Sequence, residues 1–277
     1  MYSELTHLDV RFADHVAHVR LDRADKHNAL NGELMESLRI AATRMAEDDS
    51  VRVVVLSGAG PSFCSGLDTA NIAAMASGDL NANSAKIQAA YGDLSYGGAN
   101  RAQQVAWLWR ELRVPVIAAV HGSALGGGLN LALGADIRVV APNSKLAFVE
   151  IDWGLIPDMS ASQGLRHVVG ADRAKLLVLT GERFDGEQAL AWGLATETSE
   201  DPVARALDIA NRIAAKNPDA VRAALAVLNL SHGVDTRLGF ATEAELSAPL
   251  IGSTNQVEAV MARLEKRAAE FEVGDLR

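Results

Sequence analysis

The spacing of apolar and polar residues changes period several times along the chain, and each change predicts an element. His15 to Leu21 is Val-rich with alternating polar positions, the pattern of a strand. Val51 to Ser57 is almost continuously apolar, the pattern of a strand buried on both faces. Between them Leu30, Leu34, Leu38, Ala42 and Met45 recur at helical spacing, and Asn31 is placed to cap that helix. Val114 to Val120 is a third buried strand, with Pro115 near its start where a strand tolerates it. Gly126 to Leu133 reads as a helix opening from a glycine turn, and Ile137 to Ala141 and Leu146 to Phe148 as short strands. Strands alternating with helices over the first two-thirds indicate an α/β domain.

Beyond about residue 200 the strand signal stops. Pro202 opens a pattern through Val203, Leu207, Ala210 and Ala214, and Pro218 opens another through Val221, Leu225 and Leu228. Val257, Met261 and Leu264 mark a last helix expected to continue towards Phe271. The expected organisation is an α/β core over 1–200 and a helical region over 201–277. That tail is too thin for a large core of its own, so it must pack on the α/β part or in subunit contacts. Gly78 to Asn100, with its Asn and Gly residues, reads as a mobile segment with some helix and a candidate wall of a ligand site.

Composition then narrows the function. The chain has 277 residues, 49% hydrophobic, and a formal net charge of −9 without any Lys/Arg-rich run. Nucleic acid and anionic membrane surfaces are therefore poor partners, because both need clustered cations. Cys64 is the one cysteine, which rules out an intrachain disulfide and a Cys-based metal site. The residues after Met1 show no basic-then-apolar leader and no apolar run is long enough to cross a bilayer, so the cytoplasm is the expected location.

Three glycine-rich stretches invite a ligand. Gly58-Ala59-Gly60-Pro61-Ser62-Phe63 starts like a dinucleotide fingerprint but has Phe in the sixth position. Gly-Lys-Ser/Thr and Gly-x-Ser-x-Gly are absent. The remaining pair is Phe63-Cys64-Ser65-Gly66-Leu67-Asp68 and the run from His121 to Asn130, with Gly126, Gly127 and Gly128 at its centre. Each follows a buried strand, and the second leads into a helix, whose first N–H groups have no partner within the helix. Two such N–H groups from separate loops would make an oxyanion hole. The simpler reading is that the glycines permit close strand–helix packing.

At these residues the sequence resembles the crotonase superfamily of enoyl-CoA hydratases and isomerases. The resemblance runs in order through Arg23 to Asn31, Phe63 to Asp68, His121 to Asn130, Ala135 to Arg138, Glu150 to Pro157, and Thr180-Gly181-Glu182 with Gly193-Leu194-Ala195. It implies a spiral of ββα units followed by a helical C-terminal region, assembled as a homotrimer or a dimer of trimers. It implies an acyl-CoA thioester as substrate, so that coenzyme A arrives with the substrate and neither a metal nor another cofactor is needed. By position it makes the backbone N–H groups of Leu67 and Gly127 the oxyanion donors. It places Lys26, Ala29, Ser65, Gly66, Asp68 and Gly126 along the substrate and CoA. For Lys26 a solvated surface lysine is the competing reading.

Hydratases of the family carry two glutamates. Here the first position is Asn130, which cannot shuttle a proton, and the second is Glu150, four residues before Gly154. Asp158 stands eight residues after Glu150, resembling the dienoyl-CoA isomerase branch, which is acidic at both places. Moving a double bond needs a proton removed at one carbon and returned at another while the enolate is held at the thioester oxygen. The leading expectation is therefore double-bond isomerisation of an enoyl- or dienoyl-CoA in fatty-acid or related acyl-CoA catabolism. Of its catalytic positions Glu150, Asp158 and Asn130, the two acids carry the protons and Asn130 orients a water or hydrogen-bonds Glu150. A hydratase with an unusual second group and a non-catalytic acyl-CoA binder remain open. Asp158 has a second reading as the cap of a helix starting near Met159. Asp152 reads as structural or solvated, His121 as a structural hydrogen-bonding group and Cys64 as a small packing residue. Trp107, Trp109 and Trp153 read first as core.

Overall fold

A computed structural model of the chain describes residues 2, 4–71, 94–95, 97–216, 218–230, 237, 248 and 251–267. Eight strands are described: β1 Leu8–Ala13, β2 Val16–Leu21, β3 Val53–Gly58, β4 Val116–Val120, β5 Ser123–Leu125, β6 Ile137–Val140, β7 Lys145–Ala147 and β8 Glu197–Thr198. Six form one sheet in the order β1-β2-β3-β4-β6-β8, and β5 and β7 pair separately. All neighbours in the large sheet run parallel except β1, which lies antiparallel on β2 through the Asp14-His15 turn.

Strand, short second-sheet contact and helix recur in sequence. β2 leads to a bridge between Leu30 and Leu67 and then to the helix Gly32–Glu47. β3 leads to the bridge of Cys64 with Ala124, and β4 to β5 and the helix Gly127–Leu133. β6 leads to β7, which pairs with β5, and on to the helices Ala161–Leu165, Ala171–Thr180 and Gly186–Trp192. This is the ββα spiral expected.

The continuously apolar strands are buried on both faces, as parallel strands with helices on either side must be. On one face Val19, Leu21, Val54, Leu56, Ala118 and Val120 join the main core with Leu34, Leu38, Ala42 and Met45. On the other, Val16, Val53, Val55, Ile117, Ala119 and Val139 meet the helix Pro202–Ala214 through Ala206, Ala210 and Ala214. Each Val or Leu withdrawn from water here contributes about 1.5–3 kcal/mol. Asn31 caps its helix as expected, accepting from the Leu34 N–H at 2.9 Å. Pro218–Leu230 is helical as expected.

Two boundaries differ from expectation. The last helix is Thr254–Glu265 and does not run on toward Phe271; Lys266 turns left-handed (φ 55°) and closes it, and Phe271 lies outside the described residues. Glu150–Trp153 is a 3-10 turn rather than the end of a strand, and Asp152 has a structural partner there, pairing with Arg263 at 2.8 Å. Most of the candidate wall between 78 and 100 falls outside the described residues; its described end, Asn100, caps the helix Arg101–Arg110. Trp109 is buried in the core, and its indole donates to the Val105 carbonyl at 3.0 Å.

Candidate active site

The two glycine loops meet. The Leu30 N–H donates to the Gly66 carbonyl at 2.8 Å and the Asp68 N–H to the Leu30 carbonyl at 3.0 Å, so Leu30 grips the loop on both sides of Leu67. The Cys64 N–H donates to the Ser123 carbonyl at 3.0 Å, and the Leu125 N–H donates back to Cys64 at 3.1 Å. This pairing admits only glycine at two points. A Cβ on Gly128 would stand 2.2 Å from the Cys64 carbonyl oxygen. One on Gly66, at φ +89°, would stand 2.6 Å from the Leu125 oxygen and 3.6 Å from the Gly127 nitrogen. The packing role of the glycines is thus real, and it brings Gly66-Leu67 beside Gly127. Among the described residues, the N–H groups of Leu67 and Gly127 donate to nothing in the chain. A backbone donor shut away from water unpaired costs about 1–3 kcal/mol, so two unpaired donors on adjoining loops are suited to an incoming oxygen.

Glu150 reaches the same place. A Cβ on Gly126 would lie 3.4 Å from its Oε1, so glycine leaves the carboxyl room beside the start of the Gly127–Leu133 helix. Asn130, one turn along that helix and buried, donates through Nδ2 to Glu150 Oε1 at 2.8 Å. Glu150 Oε2 and Asn130 Oδ1 are buried without a hydrogen-bond partner. Burial raises the Glu150 carboxyl to a pKa of about 7; the negative Asp158 nearby adds to the rise, while its own backbone N–H and the Asn130 amide oppose it. A carboxyl that titrates near neutrality can take and return protons with little penalty.

The helix expected from near Met159 instead begins at Ala161, with Ser160 at φ 69° in the N-cap position. Asp158 therefore stands two residues outside the cap, and its field falls on Glu150. Met159 and Leu30 pack against Gly127: a Cβ there would meet Met159 Sδ at 2.8 Å and Leu30 Cδ1 at 3.0 Å.

The other positions expected along the substrate form the rim around these loops. Lys26 is exposed at the end of the 3-10 turn Ala24–Lys26, Ala29 is buried, and the Ser65 N–H donates to the His27 carbonyl at 2.9 Å. Asp68 is taken by the chain itself. It accepts from the Ala70 N–H at 3.0 Å and pairs with Arg23, and these two contacts hold its carboxyl below the usual range. His121 hydrogen-bonds the Gly60 carbonyl at 2.9 Å and Cys64 is fully buried, its thiol pushed up to about 12 by burial, both in keeping with structural roles.

Asn28 was not singled out from the sequence, yet it organises the rim. It is fully buried at φ 54°. Its Nδ2 donates to the carbonyls of Ala59 and Ser62 at 2.9 and 2.8 Å, and its Oδ1 accepts from the Arg23 N–H. The available signal was Asn after His at the end of a short turn, since Asn tolerates the left-handed region. Arg23 was likewise read only as part of a segment; it donates to the Ala29 carbonyl at 3.0 Å as well as to Asp68.

Known proteins share the sequence pattern and the fold over nearly the whole chain. Residues 11–274 match the enoyl-CoA hydratase/isomerase family. The mitochondrial methylglutaconyl-CoA hydratase of Mus musculus is 32% identical over 258 residues, 91% of this chain and 77% of the relative. The crystal structure of an enoyl-CoA hydratase/isomerase from Mycobacterium paratuberculosis superposes with a TM-score of 0.82 at 25% identity, covering 92% of this chain and 98% of that one. An enoyl-CoA hydratase from Bacillus anthracis gives 0.73 at 30% identity, covering 96% and 99%. No described helix is long and apolar enough to cross a membrane. With the match spanning nearly its whole length and the fold shared, the chain belongs to the enoyl-CoA hydratase/isomerase family of the crotonase superfamily.

Proposed function

We propose that the protein isomerises the double bond of an enoyl- or dienoyl-CoA. The Glu150 carboxylate removes a proton next to the conjugated system, and the electrons move onto the thioester oxygen. The N–H groups of Leu67 and Gly127 stabilise that oxygen as the enolate forms. For a one-bond shift Glu150 returns the same proton at a different carbon; for a longer dienoyl shift a protonated Asp158 gives its own proton to the distant carbon, and both carboxyls then regain their starting states by exchange with water. The observation that carries this reading is the Asn130–Glu150 hydrogen bond. An amide stands where a second carboxyl would help add water, and it leaves one group near pKa 7 to move protons in both directions.

The relatives named as hydratases favour the second reading, water addition to a 2-enoyl-CoA. The test is a direct comparison of 3-enoyl-, 3,5-dienoyl- and crotonyl-CoA as substrates in deuterated water. Isomerisation with deuterium incorporation and slow hydration supports the proposal; hydration of crotonyl-CoA outpacing isomerisation replaces it with the second reading. Tight binding of all three without turnover would make the protein an acyl-CoA binder. Asn130→Glu, which supplies the missing carboxyl, should raise the hydration rate relative to isomerisation. The assembly we infer is a homotrimer or a dimer of trimers; the exposed Leu176, Leu179 and Leu190 on successive helices support subunit contacts, and sedimentation equilibrium would test it.

A further inference from the structure

The Glu150 side chain is aimed by very little of its own. Among the described residues its hydrogen bonds come from the Asn130 amide and its own backbone N–H, and Oε2 has none, so its direction depends on the backbone of the Glu150–Trp153 turn. A four-residue 3-10 turn has poor hydrogen-bond geometry and does not hold itself rigidly. Two other elements hold it. On one side Gly181, which ends the Ala171–Thr180 helix at φ +64°, sits against it; a Cβ there would be 3.1 Å from both Asp152 Oδ1 and Ile151 Cγ2. On the other side lies the C-terminal helix Thr254–Glu265. Its Arg263 Nη1 pairs with Asp152 Oδ2 at 2.8 Å, and the same guanidinium stacks 4.5 Å from the centre of the Trp153 ring.

We infer that Arg263 is a positioning residue for Glu150, fixing the turn from outside by gripping Asp152 and Trp153 together. The inference rests on the reading of Glu150 as the proton carrier. The ion pair is about one-third exposed on each side and would contribute little alone. Its planar partner changes that, because a guanidinium that must satisfy a carboxylate and an indole face at once has one orientation open to it. Two consecutive residues are thereby held, and they are the second and third after Glu150. Arg267, just past the end of the same helix, provides the contrast: it pairs with Glu258 and Glu265 of its own segment. The C-terminal helix, remote in sequence, thus reaches the chemistry through one side chain 111 positions after its partner.

The test is steady-state kinetics of the full-length protein on its best enoyl-CoA substrate, with thermal midpoints measured in parallel. Arg263→Met should lower kcat about tenfold with KM within about twofold, the signature of a misplaced proton carrier rather than a lost substrate contact. Asp152→Asn should act in the same direction, and the double variant should be no worse than the more damaging single one. Arg263→Lys, keeping the charge, should recover part of kcat, and Arg267→Met should leave kcat unchanged. A kcat for Arg263→Met within twofold of the parent overturns the inference. So do equal losses in Arg263→Met and Arg267→Met that track the thermal midpoint. Glu150→Gln separates the two levels: if it is inactive while Arg263→Met is normal, only the positioning role fails. If Glu150→Gln is active, the proposed chemistry fails first.

Discussion

Two carboxylates at the site, Glu150 and Asp68, have been pushed in opposite directions. Asp68 sits on the rim with a backbone N–H and a guanidinium on it, and its pKa is lowered. Among the described residues Glu150 sits inside with one neutral amide, no cation and a second acid nearby, and its pKa rises to about 7. The first arrangement fixes a charge and so fixes a loop; the second leaves a proton free to come and go. Acidity alone does not set the proposed proton carrier apart; its burial without a cation among the described residues does.

The largest break in this contrast is Glu150→Gln, which keeps shape and removes the titrating group. Turnover of any enoyl-CoA isomerised by the parent should fall by about 100- to 10,000-fold, with calorimetric affinity for the CoA ester retained. The pH dependence of stability should separate the two groups next. Glu150 has a folded pKa above its unfolded value, so its contribution is full below about pH 4.5 and is lost as pH rises through 7. The loss is about 3 kcal/mol by linkage, and Glu150→Gln should abolish it in urea denaturation across that range. Asp68 has the opposite sign: its contribution is present above the ordinary carboxylate range and is lost as pH falls through its lowered value. A smaller effect is expected from Arg23→Met, which removes one partner of the rim pair. It should cost about 1–2 kcal/mol in denaturation while raising KM more than it lowers kcat, since the pair shapes a binding loop. An unchanged KM would break the assignment of that rim to substrate.

The same contrast explains what the sequence made legible. Buried strands β3 and β4, the Asn31 cap and the Gly127–Leu133 helix carry local signals of period, cap and glycine, and they fall within two residues of expectation. β1 carries little signal, because Arg11, Phe12 and Ala13 are exposed on an edge strand. The helices Ala171–Thr180 and Gly186–Trp192 were not separated from the loops around them, since they bury only Leu177 in the first and Gly186 and Ala189 in the second. At the site, Glu150 was found through its register with Gly154. The turn shape around it was not, because the contacts that hold the turn come from Gly181 and Arg263, far along the chain. Likewise nothing local to Asp68 shows that Arg23, 45 residues earlier, pairs with it. Long-range partners decide what a carboxylate does, and a single sequence does not display them.

The mildest substitution sharpens the comparison most, because it alters the field on Glu150 without touching its carboxyl. Asn130→Asp replaces an amide donor 2.8 Å from Glu150 with a second acid of nearly the same shape. Two carboxyls that close cannot both ionise readily, so they titrate as a coupled pair whose upper step lies above that of Glu150 alone. If the carboxylate form of Glu150 carries the reaction, the parent rate should rise through about pH 7 and level off. In Asn130→Asp the same rise should shift to higher pH, with the plateau rate within about tenfold of the parent. The check is a kcat–pH profile of both proteins on one substrate. A profile that fails to move would mean that the Asn130 amide does not act on the group that limits turnover, and the distinction between the proton carrier and the rim would have to be drawn elsewhere.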